Sequence, residues 1–312
     1  MNEVGSQISE DYIQGNFNGK LCDARAPMIS PLDRGFLYGD AIYEVWRTYE
    51  GVIFGWHEHW ERLLQTAEGL SMELPLSQED VLDLIRFTTK AWRDKTGSDS
   101  ELYVRLQISR GAGLLGLDTG LADTANFAIF VKAQGDLSDE KLDKGLSLHV
   151  SENWKRNPLD AMPPSLKTGN YLNNILGLSE AKKHGCDDVL FLNHAGDFTE
   201  ASTRNVWFIF DDRISTPRIE DGILAGVTRR LILENIDELG SRPFVEEKIR
   251  PEDLASVEEC FLTSSTQDVQ PVSSIGELTF KTGSETLTRA LKSEFNELVK
   301  WTVEVKRNSQ WV

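Results

Sequence analysis

The chain has 312 residues, 40% of them hydrophobic and 9% aromatic, a globular composition long enough for two domains of ordinary size. Fifty acidic against 33 basic residues leave a net charge of -17, a surface that repels nucleic acid and anionic membranes and excludes both as expected partners. Cys22, Cys186 and Cys260 are odd in number and widely spaced, so they read as reduced thiols and neither as a disulfide frame nor as a metal site. MNEVGSQISEDYIQG has no apolar signal core and no later run is long enough to span a bilayer, so a cytoplasmic location is expected.

The first half reads as strands alternating with two helices. Around 57–71, Trp60, Leu63, Leu64, Ala67 and Leu70 fall on one helical face. SQEDVLDLIRFTTKAW starts with Ser77 and Asp80 at capping-box spacing and carries Val81, Leu84, Ile85, Thr88 and Trp92 on one stripe. LYVRLQISRG alternates Leu102, Val104, Leu106 and Ile108 against Tyr103, Arg105, Gln107 and Ser109, a half-buried strand, and ANFAIFVKA is the next. QGDLSDEKLDKG is charged and glycine-flanked, which places a small domain over 1–133, a linker over 134–145 and a larger domain over 146–312. The strand LSLHV follows, then a helix near 172–184, the hairpin VLFLN-HAGD-FTEAS, and a helix TRRLILENIDELG stopped by Gly240. The last helix is expected near 284–301, capped by Thr282 and Glu285.

PPSLKTGNYLNNILGLSEAKKHGCDDVLFLNHAGDFTEASTRNVW carries the chemistry. It sets one amine, Lys167, on a polar segment before a helix, and one carboxylate, Glu200, before an apolar strand. An amine that forms a Schiff base with an aldehyde, and a carboxylate that keeps a pyridine nitrogen protonated, suit pyridoxal phosphate. Three further features suit its dianionic phosphate. Gly226, Val227 and Thr228 open a helix with unpaired amides, TSSTQ clusters hydroxyls, and Arg62 offers a forked guanidinium. Each of these alone also reads as an ordinary cap, a polar turn or a surface arginine. Thr203, Arg204 and Asn205 are near enough in sequence to hold Glu200.

Four blocks in order then resemble the fold-type IV (class IV) pyridoxal phosphate-dependent aminotransferases over nearly the whole chain. DRGFLYGDAIYEVWRTYEGVIFGWHEHWERLLQTAEGL is similar to the N-terminal block, and its H-x-x-R-L element implies Arg62 at the phosphate. The central block implies Lys167 as the Schiff-base lysine, Tyr171 as partner of the cofactor's phenolic oxygen and Glu200 at the pyridine nitrogen. GILAGVTR is similar to the phosphate cup, implying Leu224 under the ring and Gly226, Val227 and Thr228 at the phosphate. FLTSSTQDVQPV implies Ser265 and Thr266 as phosphate and carboxylate contacts. The resemblance implies two α/β domains, the larger built around a barrel-like sheet, with the cofactor between them. It also implies a homodimer in which the partner's small domain completes each pocket.

Within the family YVRLQISRGAGLLGLD resembles the branched-chain amino acid aminotransferases most, implying that Tyr103 and Arg105 line the substrate pocket; the other reading is the solvent face of a strand. YEVWRTYEG resembles the D-amino acid enzymes as well, but their Arg-x-His clamp has no counterpart in GAGLLGLDTG. TSSTQ stands where the branched-chain enzymes carry Gly-Thr-Ala-Ala. The expected reaction moves an amino group from an L-branched-chain amino acid to a 2-oxoacid such as 2-oxoglutarate. Tyr38, Tyr43 and Trp46 are the expected walls of an apolar pocket, and Arg105 or the amides near Thr266 hold the carboxylate. The alternatives are an aminodeoxychorismate lyase and a D-amino acid or (R)-amine transaminase of the same fold.

Overall fold

The computed structural model describes residues 11–26, 29–122 and 124–312; the segment MNEVGSQISE lies outside them. The chain divides into two compact units. The first gathers residues up to 135 with 167–170 and 299–312, and the second holds 136–166 and 171–298.

In the first unit β1 (Gln14–Phe17), β2 (Lys20–Asp23), β3 (Ala41–Tyr49), β4 (Val52–Ile53), β5 (Leu102–Ser109) and β6 (Asn126–Ala133) form one antiparallel sheet ordered β2-β1-β6-β5-β3-β4. Its helices are α1 (Arg34–Tyr38), α2 (Trp56–Gly69) and α3 (Gln78–Thr96). The period-2 pattern of β5 decides which face is covered. Leu102, Val104, Leu106 and Ile108 are at most 1% exposed and pack with Ile42, Trp46, Ile129 and Val131 against the apolar stripes of α2 and α3. Each such side chain contributes about 1.5–3 kcal/mol of burial. Ser77 and Asp80 cap α3 reciprocally, as their spacing predicts.

Lys167–Asn170 is fastened to β3: the Tyr43 N–H donates to the Lys167 carbonyl at 3.2 Å and the Gly169 N–H to the Ala41 carbonyl at 2.8 Å. Val312 joins the same core. Val312 is 3% exposed, and its N–H donates to the Gly51 carbonyl.

The second unit opens with α4 (Asp139–Lys144), whose N-cap is Ser138, within the stretch read as a linker. It continues through β7 (Leu146–Val150), α5 (Leu172–Lys183), β8 (Asp188–Leu192), β9 (Phe198–Ala201), β10 (Asn205–Ile209) and β11 (Ile214–Thr216). It then runs through α6 (Val227–Asn235), β12 (Glu238–Leu239), β13 (Arg242–Glu246), β14 (Glu259–Ser264), β15 (Asp268–Ile275) and β16 (Leu278–Thr279). Its ten-stranded sheet closes on itself. β10, β14, β15, β7, β8 and β9 form a ring of six strands, completed where β9 meets β10 at the Glu200–Asn205 pair. Leu148, Leu190, Val206, Phe208, Cys260, Leu262 and Val272, all fully buried, belong to one apolar core of this barrel.

Two helix ends differ from the sequence expectation. α6 stops at Asn235, five residues before Gly240, because Glu238 and Leu239 pair as a strand with Arg242 and Pro243. The last helix, α7 (Leu287–Gln310), starts later and ends nine residues further on than expected, since its apolar face continues through Val299 and Val303. The Glu259 carboxylate, and not Thr282 or Glu285, accepts the N–H groups of Leu287 and Thr288 at its start.

Candidate active site

The structure collects the residues singled out from the sequence into two groups, one in each unit. In the first unit β3 alternates between two roles. Glu44 points to the core side and Tyr43 to the opposite face. Glu44 is fully buried and accepts two bonds from Arg62, Nε to Oε1 and Nη2 to Oε2, both at 2.8 Å. His59 Nδ1 lies 2.7 Å from Glu44 Oε2. A carboxylate only accepts, so that nitrogen carries the proton. Burial alone would raise the Glu44 carboxyl, but the Arg62 guanidinium outweighs it and holds the group well below the usual carboxylate range. Burial pushes His59 down, which leaves the permanent cation of Arg62 as the partner that matters.

Thr66 connects this cluster to the lysine segment. Its hydroxyl donates to the Arg62 carbonyl at 2.9 Å and accepts the Lys167 N–H at 3.2 Å. The Lys167 Nζ lies 4.5 Å from the centroid of the Tyr43 ring, and the Arg105 guanidinium lies 3.9 Å from the same ring. A cavity of about 250 Å³ opens on this sheet face, lined among others by Phe17, Ile29, Phe36, Arg105, Gln107 and Phe127. Of the expected walls, Tyr38, Tyr43 and Tyr103 are not among the residues lining it, nor is Lys167, and Trp46 is buried in the core on the other side of the sheet. The Tyr38 hydroxyl accepts the Gly116 N–H at 3.3 Å, and Tyr103 carries Lys132 over its ring.

In the second unit Glu200 is 4% exposed at the seam of the barrel. Arg156 donates to its Oε1 from Nε and Nη2, both at 2.8 Å, and the Leu224 N–H donates to Oε2 at 2.9 Å. Arg204, expected to serve Glu200, instead pairs with Asp188 at 2.7 Å. Asn205 donates to the Leu224 carbonyl at 2.9 Å, so Leu224 is held between Glu200 and Asn205. Gly226 precedes α6 and supplies no side-chain cap to it. A Cβ at Gly226 would come within 2.0 Å of Asn205 Oδ1. Val227 and Thr228 open the helix and are buried. Ser265 and Thr266 form the turn between β14 and β15, and Tyr171 is the residue before α5.

Glu44, His59, Gln107 and Arg156 escaped the sequence reading. Glu44 and Gln107 left a signal, since each is a polar residue at an alternating strand position beside a residue already singled out. Arg156, in a loop 44 residues before Glu200, left none. Among the described residues no group of three metal-ligating side chains is gathered, and no helix is long and apolar enough to cross a membrane.

The first unit thus holds a lysine beside an aromatic ring, and the second holds a buried carboxylate at its barrel seam and a glycine-led helix. Residues 41–275 match the amino-transferase class IV family, and the chain belongs to that family. It is 30% identical over 92% of its length to a putative branched-chain-amino-acid aminotransferase of Methanocaldococcus jannaschii, covering 97% of that protein. It is 28% identical over 94% to an aminodeoxychorismate lyase of Bacillus subtilis, covering 97% of it. It is also 30% identical over 90% to a D-alanine aminotransferase of Staphylococcus epidermidis, covering 96% of it. The branched-chain aminotransferase of Thermoproteus uzoniensis, solved with norvaline, superposes with a TM-score of 0.82 at 26% identity, over 92% of this chain and 95% of that one.

The protein is therefore an enzyme that transfers amino groups, and pyridoxal phosphate is its cofactor. Its residues fit that group. The tight approach of Asn205 Oδ1 admits only glycine at 226, that glycine leaves the start of α6 without a side-chain cap of its own, and a buried carboxylate is fixed by Arg156.

Proposed function

We propose that this transaminase moves an amino group between an L-amino acid with an apolar side chain, leucine, isoleucine or valine, and 2-oxoglutarate. One observation carries the reading. Arg105 and Lys167 lie against the same Tyr43 ring, and Arg105 lines a cavity walled by Phe17, Ile29, Phe36 and Phe127. At about 250 Å³ that cavity is below the ~300–1,000 Å³ of pockets for drug-sized ligands and suits an amino acid. Apolar walls accept the donor's side chain, and the guanidinium accepts the acceptor's second carboxylate.

Pyridoxal phosphate, when bound, stores the amino group between the two substrates. In this reading Lys167 is its covalent anchor and the base that moves the substrate Cα proton. Glu200, held by Arg156, keeps the pyridine nitrogen protonated, and Tyr171 binds the phenolic oxygen. Leu224 lies under the ring, while Arg62, Gly226, Val227, Thr228 and Ser265 hold the phosphate. Tyr38, Tyr43, Tyr103, Arg105 and Thr266 surround the substrate. The active form is a homodimer in the cytoplasm.

The test is a panel of L-leucine, D-alanine and (R)-1-phenylethylamine with 2-oxoglutarate under matched conditions. L-leucine is expected to turn over fastest, and Lys167→Ala to abolish turnover. Faster reaction of D-alanine or the amine overturns the substrate assignment. Release of pyruvate from aminodeoxychorismate without an acceptor would move the chain to the lyases.

A further inference from the structure

Arg105 and Gln107 are two residues apart on β5, so the strand's alternation brings them out side by side on the face away from α2 and α3, and both line the cavity. Gln107 Oε1 accepts from Arg105 Nη2 at 2.6 Å and from Nε at 3.2 Å. A guanidinium has donors and no acceptor, so this contact fixes which way the Gln107 amide faces. The oxygen is committed to Arg105, and the NH2 group is turned elsewhere. Gln107 Nε2 lies 3.7 Å from the position of a Cβ on Gly169, in the segment that carries Lys167. Arg105 is fixed in turn by the Tyr43 ring beneath it.

The cavity thus carries two neighbouring groups that offer only N–H donors, each held in one orientation by the other. Asp33 also lines the cavity, but its oxygens are engaged. Oδ1 accepts the Gly35 N–H, and Oδ2 accepts from Ser109 and Asn126, all at 2.8 Å. An anionic group entering the cavity therefore has its partners at the Arg105 end.

We propose that Gln107 is a specificity-determining residue, whose amide N–H joins Arg105 in binding the distal carboxylate of a five-carbon dicarboxylic substrate. This rests on the reading of the cavity as the substrate pocket. A monocarboxylic substrate leaves both donors unused, so the pair sets the preference for a dicarboxylic over a monocarboxylic partner. Arg105 and Lys167 both contact the Tyr43 ring, at 3.9 and 4.5 Å from its centroid, so the carboxylate site lies near the lysine.

The test uses the holoenzyme with Gln107→Leu, Gln107→Glu and Arg105→Ala. It measures binding of glutarate and pentanoate by calorimetry, together with KM for 2-oxoglutarate and 4-methyl-2-oxopentanoate. Gln107→Leu is expected to shrink the preference for glutarate over pentanoate roughly 10- to 100-fold, the loss of one hydrogen bond to a charged group, with the same shift in the KM ratio. Gln107→Glu, whose carboxylate occupies Arg105, is expected to lose at least as much. Gln107→Met, equal in length, replaces the leucine variant should that one fail to fold. If the Gln107 variants keep the ratio within twofold while Arg105→Ala destroys it, Gln107 has no such role and the pocket reading stands. If Arg105→Ala also keeps it, the pocket reading falls as well. Equal weakening of both ligands means a structural role and overturns the proposal.

Discussion

Replacing Glu44 by glutamine keeps the shape of the side chain and removes its charge. Glu44 is 0% exposed and answers both Arg62, which is 6% exposed, and His59. In the enzyme freed of pyridoxal phosphate the substitution leaves the Arg62 cation buried without an anion, and such loss of one partner costs about 3–5 kcal/mol. That is a large share of the roughly 5–15 kcal/mol that holds a domain folded. Urea unfolding followed by tryptophan emission reads it directly, because the Trp46 ring lies 5.6 Å from His59 and 5.2 Å from Trp56. Combining Glu44→Leu with Arg62→Met removes both charges, and the pair should cost less than the sum of the single changes. The dependence on pH has a definite sign. The folded carboxyl titrates lower than the unfolded one, so its contribution is complete above about pH 4.3 and falls away as the pH drops further toward the folded value. A Glu44→Gln cost under about 1 kcal/mol, or strict additivity of the pair, would refute this account of the cluster.

Gly226→Ala is expected to force Asn205 away and break its bond to the Leu224 carbonyl, because the added Cβ comes within 2.0 Å of Oδ1. Pyridoxal phosphate retention on dialysis should weaken roughly tenfold, as for the loss of one hydrogen bond of about 1–1.5 kcal/mol, and unchanged retention would contradict the phosphate assignment. Glu259→Gln should lower stability by about 1–2 kcal/mol, since an anion that accepts two amides and the Thr288 hydroxyl is lost at the start of α7. A thermal melt followed by circular dichroism measures it.

The pattern of the sequence carries the elements whose period is clean. β5 reads directly because its alternation is the burial pattern itself, and α3 because Ser77 and Asp80 announce its start. The ends of α6 and α7 do not read, because each is decided by a partner far along the chain. A strand pairing through Leu239 and Arg242 stops α6, and a carboxylate 28 residues earlier caps α7. The same distinction holds at the site. Lys167, Arg62 and Glu200 stand in local patterns that the family resemblance makes visible. Their supports, Glu44 for Arg62 and Arg156 for Glu200, come from residues 18 and 44 positions away that only the fold brings near. Polar side chains that hold other side chains have no period of their own.

The attachment of Lys167–Asn170 to β3 bears on how the chain reaches this structure. The hydrogen bonds between Ala41–Tyr43 and Lys167–Gly169 close a loop of well over a hundred residues, and Val312 against Gly51 closes one more than twice as long. Closure entropy grows only as the logarithm of such a length, so the native state carries little penalty, but the search for these contacts is slow. The first unit is accordingly incomplete until residue 312 has been made: the start of β3 awaits residue 169 and the core awaits Val312. Its last packing step needs residue 312, so a polar substitution at Val312 acts on the core of the unit that was synthesised first.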